Sequence, residues 1–99
     1  MTYGILHFFP GGTKEQYDAS MAVVHPGEGQ LPDGQLFHVA GAAPGGWMTI
    51  AIHDSQESWE RFAAIARPRT REEGIEGGLP VPPQETTFEV HTFVSQPRR

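Results

Sequence analysis

Four of the five histidines in this chain fall in runs that read as β-strands: His7 in YGILHFF, His38 in QLFHVAGA, His53 closing GWMTIAIH, and His91 in TTFEVHTFV. Imidazole titrates near neutral pH, so histidines against apolar walls are the side chains best suited to take and return protons. They are also ligands for first-row metals, and two or three of them with Glu89 would make a suitable donor set. Ligands scattered over strands have no spacing signature, however. Acid/base catalysis, metal or haem binding, and purely structural histidines all stay open on residue type alone. There is no cysteine, which removes thiolate metal sites and disulfide scaffolds.

The elements that must position these side chains are punctuated by twelve glycines and nine prolines. Residues 3–9 form an apolar, aromatic strand stopped by Pro10-Gly11-Gly12. Thr13 with Gln16 makes a capping box for a helix over 13–25, in which Tyr17, Met21 and Val24 recur at helical spacing and Ala22 and Val23 widen the stripe. A loop from Pro26 to Gly34 follows. Strands 35–42 and 46–53 are joined by the hairpin signal Ala43-Pro44-Gly45. Asp54 or Ser55 caps a second helix, whose buried stripe is Trp59, Phe62, Ala63 and Ala66. Pro68 breaks it, with a short helical piece to Glu73. Residues 74–85 read as a structureless connector, 86–94 as a last strand rich in Thr, Val and Phe, and 95–99 as a frayed tail.

The order β-α-β-β-α-β is that of a split βαβ, ferredoxin-like α+β unit: a single domain over 1–99, with a four-stranded antiparallel sheet and both helices on one face. Strands one and three are expected side by side in the centre and parallel to each other. The second sheet face would be bare, and burying it requires a partner.

Alternation splits each strand into two sets. One is apolar or small: Gly4, Leu6, Phe8, then Phe37, Val39, Gly41, with Met48, Ile50, Ile52, Phe88 and Val90. The other is mixed and holds all four strand histidines, together with Tyr3, Ile5, Phe9, Leu36, Ala40, Trp47, Thr49, Ala51, Glu89 and Phe93. Parallel central strands would make His7 and His53 neighbours at their C-terminal ends. His38 could approach His53, depending on hairpin register. Apolar walls with a few convergent polar groups describe a small-molecule pocket. His7 and His53 are the candidate catalytic pair. Tyr3, Ile5, Phe9, Tyr17, Met21, His38, Trp47, Thr49, Trp59, Phe62 and His91 are the candidate substrate-binding residues. His25, outside the strands, reads as a helix C-terminal residue favoured by the dipole.

Bulk composition narrows the class. A formal net charge of −5 argues against nucleic acid, whose phosphates demand cations. The one basic cluster, Arg67-Pro-Arg69-Thr-Arg71, runs straight into Glu72-Glu73 and reads as a solvated mixed-charge face. No basic n-region opens the chain, and no apolar run approaches a membrane span. The expectation is a cytoplasmic protein with no membrane partner. A chain of this size buries roughly 60–70% of its unfolded surface, a thin margin that pairing with a second copy would offset.

The pattern as a whole resembles the dimeric α/β-barrel superfamily, over nearly the entire chain. The most specific stretch is GGWMTIAIHDSQESWERF, which looks like that group's third strand leading through a polar cap into an aromatic-bearing helix. The resemblance implies a homodimer joined sheet to sheet, and a ligand pocket between the other sheet face and the helices. The chain is similar to the group's antibiotic-biosynthesis-monooxygenase-like small proteins, but its cofactor-free quinone-forming monooxygenases carry a Trp where this chain has His53 and an Asn where it has Thr49, which puts that oxygenation chemistry in doubt here. Haem-degrading members need a helix histidine, which the stretch around Arg69 to Glu73 lacks. Polyketide-cyclising members place an acid/base histidine on strand one, and His7 lies there, two residues further along. The chain most resembles uncharacterised bacterial members. What the resemblance implies is a cofactor-free cyclase, isomerase or monooxygenase acting on a hydrophobic aromatic or polyketide-like molecule. A metal- or haem-binding protein and a non-catalytic binding or assembly domain are the alternatives.

Overall fold

Turn chemistry and capping place the elements. In a computed structural model, which describes residues 1–25, 27, 29–72, 74–80 and 82–96 (71 and 72 by backbone alone), β1 (Tyr3–Pro10) leads into α1 (Lys14–Val24). The hairpin β2 (Gln35–Ala43) and β3 (Gly46–His53) comes next, then α2 (Gln56–Arg67) and β4 (Gln84–Glu89). Glu73 and residues 97–99, parts of the expected short helix and frayed tail, lie outside the described residues.

Thr13 Oγ1 accepts from the Gln16 amide while the Gln16 side chain accepts from the Thr13 N–H, so the expected capping box forms. Ser55 caps α2 by accepting from the Ser58 N–H. Pro68 ends the α-helical hydrogen bonding, and the chain continues through one π-helical turn, Pro68–Glu72. The hairpin turns on Pro44-Gly45, with Ala43 facing Gly46 and Gly45 at φ 84°, a conformation open to glycine but strained for other residues.

The sheet order is β2-β3-β1-β4, and every neighbouring pair is antiparallel. This α+β arrangement is compatible with a ferredoxin-like fold. The expectation of parallel central strands is overturned, because β1 and β3 run antiparallel, with Tyr3 opposite His53 and His7 opposite Thr49. The reason is topological. The α1 crossover returns β2 parallel to β1 but one position away, and the hairpin partner β3 fills that gap running against both.

Two further differences bear on the site. β4 spans 84–89 rather than 86–94, so His91 lies beyond its end and is exposed. Phe93 packs its ring on Phe37, 5.8 Å away on the face that carries no helix, instead of joining the histidine face. A register shift between Gln35 and Phe37 then sets Gln35 opposite His53 and brings it onto the histidine face, leaving Leu36 exposed. A bulge of this kind defeats strict alternation.

Both helices pack on that face. The core is Ile5, Trp59 and Ala63, flanked by Tyr3 and Phe62. In α1 the stripe is narrower than expected, since Ala22 and Val23 face solvent. The opposite face leaves Phe37, Val39 and Phe88 exposed, and Gly4 lets Phe88 lie flat across β1: a Cβ there would sit 2.4 Å from the ring.

Candidate functional site

A cavity of about 250 Å³ lies between the histidine face and the helices. Its sheet wall comes from Ile5, His7, Phe9, Thr49 and Ala51, together with Gln35 and His38 of β2. Met21 and Val24 of α1, its C-terminal cap His25, and Trp59, Phe62 and Ala63 of α2 form the helix wall. The remaining side is the connector: Ile75, Leu79, Pro80, Pro82 and Pro83 line it. Leu79 is tied down by its N–H, which donates to the buried Ser20 Oγ at 3.0 Å. The connector is thus a wall of the site rather than a structureless link. Its run of apolar and proline residues was the signal for that.

His7 stands on β1 with its Nε2 3.0 Å from Glu85 Oε1 on β4, the position directly opposite it in the register. Arg67, at the end of α2, donates from Nη2 to both Glu85 oxygens at 3.3 and 3.2 Å, and its guanidinium lies over the Trp59 ring. Burial alone would raise the Glu85 carboxyl. The His7 hydrogen bond, with the charges of His7 and Arg67, outweighs it and leaves the group lowered and ionised at neutral pH. Glu85 was missed in the sequence because β4 was expected to start at residue 86.

His53 has a different setting. Its side chain is fully buried, at 0% exposure, and it is not among the residues lining the cavity. Both ring nitrogens are engaged: Nδ1 lies 2.9 Å from Ser58 Oγ and Nε2 lies 3.1 Å from Gln35 Nε2. With the Gln35 amide donating to Nε2, His53 Nδ1–H donates to Ser58, whose hydroxyl donates in turn to the Ser55 carbonyl at 3.2 Å. Burial lowers the imidazole, against a weaker pull from Asp54, and keeps it neutral. Gly34 makes room for this network, since a Cβ there would sit 2.7 Å from Ser58.

His7 and His53 are therefore not neighbours. They flank one indole, with Trp59 5.8 Å from the His7 ring and 5.6 Å from the His53 ring, centroid to centroid. Four residues of antiparallel strand separate their positions, ~13 Å at the usual rise per residue.

A second histidine group lines the cavity at α1. Tyr17 Oη lies 2.6 Å from His38 Nε2, and the His25 ring meets His38 edge-on at 5.0 Å. Burial, then the neighbouring His25 and His7, push His38 down to about 4, and burial lowers His25 as well. Both are neutral bases at pH 7. Tyr17 is raised by burial and by Asp18, so the phenol keeps its proton for His38. His25 caps α1 as expected, but its ring turns inward rather than serving the helix dipole as a cation. The spacing 17, 21, 25 was the signal for that.

Of the other candidate residues, Ile5, Phe9, Met21, His38, Thr49, Trp59 and Phe62 line the cavity. Tyr3 packs on the core, while Trp47 is buried against Tyr17, 5.3 Å away. Those three positions, Tyr3, Tyr17 and Trp47, are not among the residues lining the cavity, and neither is His91. Gln35 Oε1, His38 Nδ1 and Trp47 Nε1 are buried without a hydrogen-bond partner among the described residues. No group of three or more His, Cys, Asp or Glu side chains could hold a metal ion, again among the described residues.

Fold and site together define a small α+β protein with a partly open, largely apolar pocket between sheet and helices. None of the described helices is long and apolar enough to cross a membrane. Family models, curated proteins and solved structures contain no match to this chain.

Proposed function

We propose that the protein is a proton-transfer enzyme, of the cyclase or isomerase type, that takes a hydrophobic small molecule into the sheet–helix cavity and uses His7 as its acid/base group. One observation carries the reading: an imidazole in the wall of an apolar cavity is held by a carboxylate that is itself held by an arginine. Donating Nε2–H to Glu85 puts the lone pair of neutral His7 on Nδ1. The carboxylate then stabilises the imidazolium formed when the ring takes a proton. Thr49, opposite His7 in the register and facing the same cavity, is placed to orient a substrate oxygen. Trp59, Phe62 and Phe9 supply apolar walls for a ring. His53 supports the site by holding Gln35 and Ser58.

The test is exchange of carbon-bound hydrogen in D2O, followed by NMR for a panel of aryl ketones and 1,3-diketones that bind the protein. The wild type should exchange at least one of them ~10²–10⁴ faster than His7→Ala. Equal rates for every bound compound would overturn the reading. They would favour a binding domain without chemistry, which the withdrawal of His53 from the cavity also suits.

We infer also that a second copy of the chain covers the bare sheet face. Phe37, Val39 and Phe88 are exposed there, and Leu6, Phe8, Met48 and Ile50 are only half-buried, a surface far more apolar than a monomer normally leaves in water. A flat apolar face of this kind suits an identical face related by a twofold axis. Sedimentation should give a dimer that Val39→Glu dissociates, and a monomeric wild type at micromolar concentration would sink the inference.

A further inference from the structure

The ionisable side chains that line the cavity are of one kind. His7, His25, His38 and Arg67 are all bases, and among the described residues no aspartate or glutamate lines it. This is notable in a chain with twelve acidic residues against seven lysines and arginines. Glu85 touches two of these bases, but its oxygens are occupied by Arg67 Nη2 and His7 Nε2, and it is not a lining residue. Its charge is balanced by Arg67. A proton gained at His7 therefore leaves the trio one charge positive.

Around the bases the surface is mostly hydrocarbon, from Ile5, Phe9, Met21, Phe62, Ala63 and Leu79, with Thr49 and Gln35 among the few neutral polar groups. Arg67 stands at the exposed edge of this space and is steadied over Trp59. Deeper in, with Tyr17 donating to Nε2, His38 carries its proton on Nδ1, a buried donor with no partner among the described residues. Cationic and N–H donors inside an apolar, partly desolvated space favour an oxygen anion far more than they would in water.

Resting on the reading of the cavity as a substrate pocket, we propose that its ligand is an apolar acid. This would be a ring-bearing carboxylate, phenolate or enolate whose hydrocarbon body fills the space beside Trp59 and whose acidic oxygen faces His7 and Arg67. The class fits proton-transfer chemistry, because an enol and its conjugate base interconvert by moving the one proton that these histidines can accept or return. The protein's overall negative charge opposes the approach of anions, so a preference for them must arise within the cavity.

Two isosteric probes test it: 2-naphthoate, ionised at neutral pH, and its neutral amide, 2-naphthamide. Binding is followed by calorimetry and located by amide chemical shifts at Ile5, Thr49 and Ala63. The carboxylate should bind at least tenfold tighter than the amide. Arg67→Met, which keeps the hydrocarbon contact with Trp59, should remove that gap while leaving the amide's affinity in place. Glu85→Gln, which removes the balancing negative charge, should widen the gap. Equal binding of both probes, with shifts at the three cavity positions, overturns the acid preference but leaves the pocket standing. No binding of either probe up to millimolar concentration overturns the pocket as well, and the acid preference with it.

Discussion

His7 and His53 sit on one sheet face, one on either side of Trp59, and the protein treats them in opposite ways. His7 faces the cavity and holds a carboxylate that an arginine also holds. His53 is sealed, and its two nitrogens are satisfied by the neutral groups of Ser58 and Gln35. A histidine with a charged partner can gain a proton at little cost. One buried among neutral partners has no charged partner to offset the desolvation of its imidazolium, so burial holds it neutral. The difference separates a group that can do chemistry from one that holds the frame for it, although residue type and sheet face are the same and their strands, β1 and β3, are neighbours.

The largest effects should come from truncating each ring. His7→Ala should lower proton-transfer rate by ~10²–10⁴ while costing under ~1 kcal/mol of stability, since the lost pair with Glu85 is partly exposed. His53→Ala should do the reverse. It leaves a cavity beside Trp59 and strands Ser58 and Gln35, for a loss of about 2–4 kcal/mol in urea denaturation. At a temperature where it stays folded, it should keep most of the wild-type rate. If His53→Ala loses the rate and His7→Ala the stability, the two roles are assigned the wrong way round.

The sequence made the elements legible because their signals are local. The Thr13–Gln16 box, the Pro44-Gly45 turn and the Trp59, Phe62, Ala63 stripe depend only on near neighbours. The histidine face was legible too, because alternation is local along β1 and β3. Three things were not local. The direction of β3 relative to β1 depends on where the α1 crossover lands, and it decides whether His7 meets His53 or Thr49. The bulge after Gln35 switches that residue to the face of His38. The start of β4 decides whether position 85 stands opposite His7, and that fixed Glu85's part in the site while removing His91.

A middling effect should come from the second histidine group. His38 is pushed from the ordinary 6.5 down to about 4 in the folded protein. Between those values the unfolded chain binds the proton and the folded one does not, so stability is whole above pH 6.5 and falls as pH drops toward 4. The ring is only partly buried, which screens the effect to ~1–2 kcal/mol. His25 and Glu85, both lowered, act in the same direction. Denaturation of His38→Gln at pH 7 and pH 4.5 should show a smaller acid loss than the wild type. An unchanged loss would mean that the other groups carry it.

The smallest and most discriminating effect lies in the partners. Glu85→Gln keeps the shape of the His7 contact but removes the negative charge that favours the imidazolium, and it leaves Arg67 unbalanced beside the ring. Both changes disfavour protonation of His7, so the acidic limb of the pH–rate profile should move to lower pH, with a loss of about tenfold at most in the plateau rate. Ser58→Ala is the matching removal at the other histidine. It takes away the acceptor for His53 Nδ1–H and the bond to the Ser55 carbonyl, so it should lower the melting temperature. It changes no charge and touches no atom of His7, and the pH–rate profile should stay where it is. A profile that moved with Ser58→Ala but not with Glu85→Gln would place the titrating group on the sealed side of Trp59. The sheet face would then have to open for the chemistry to happen.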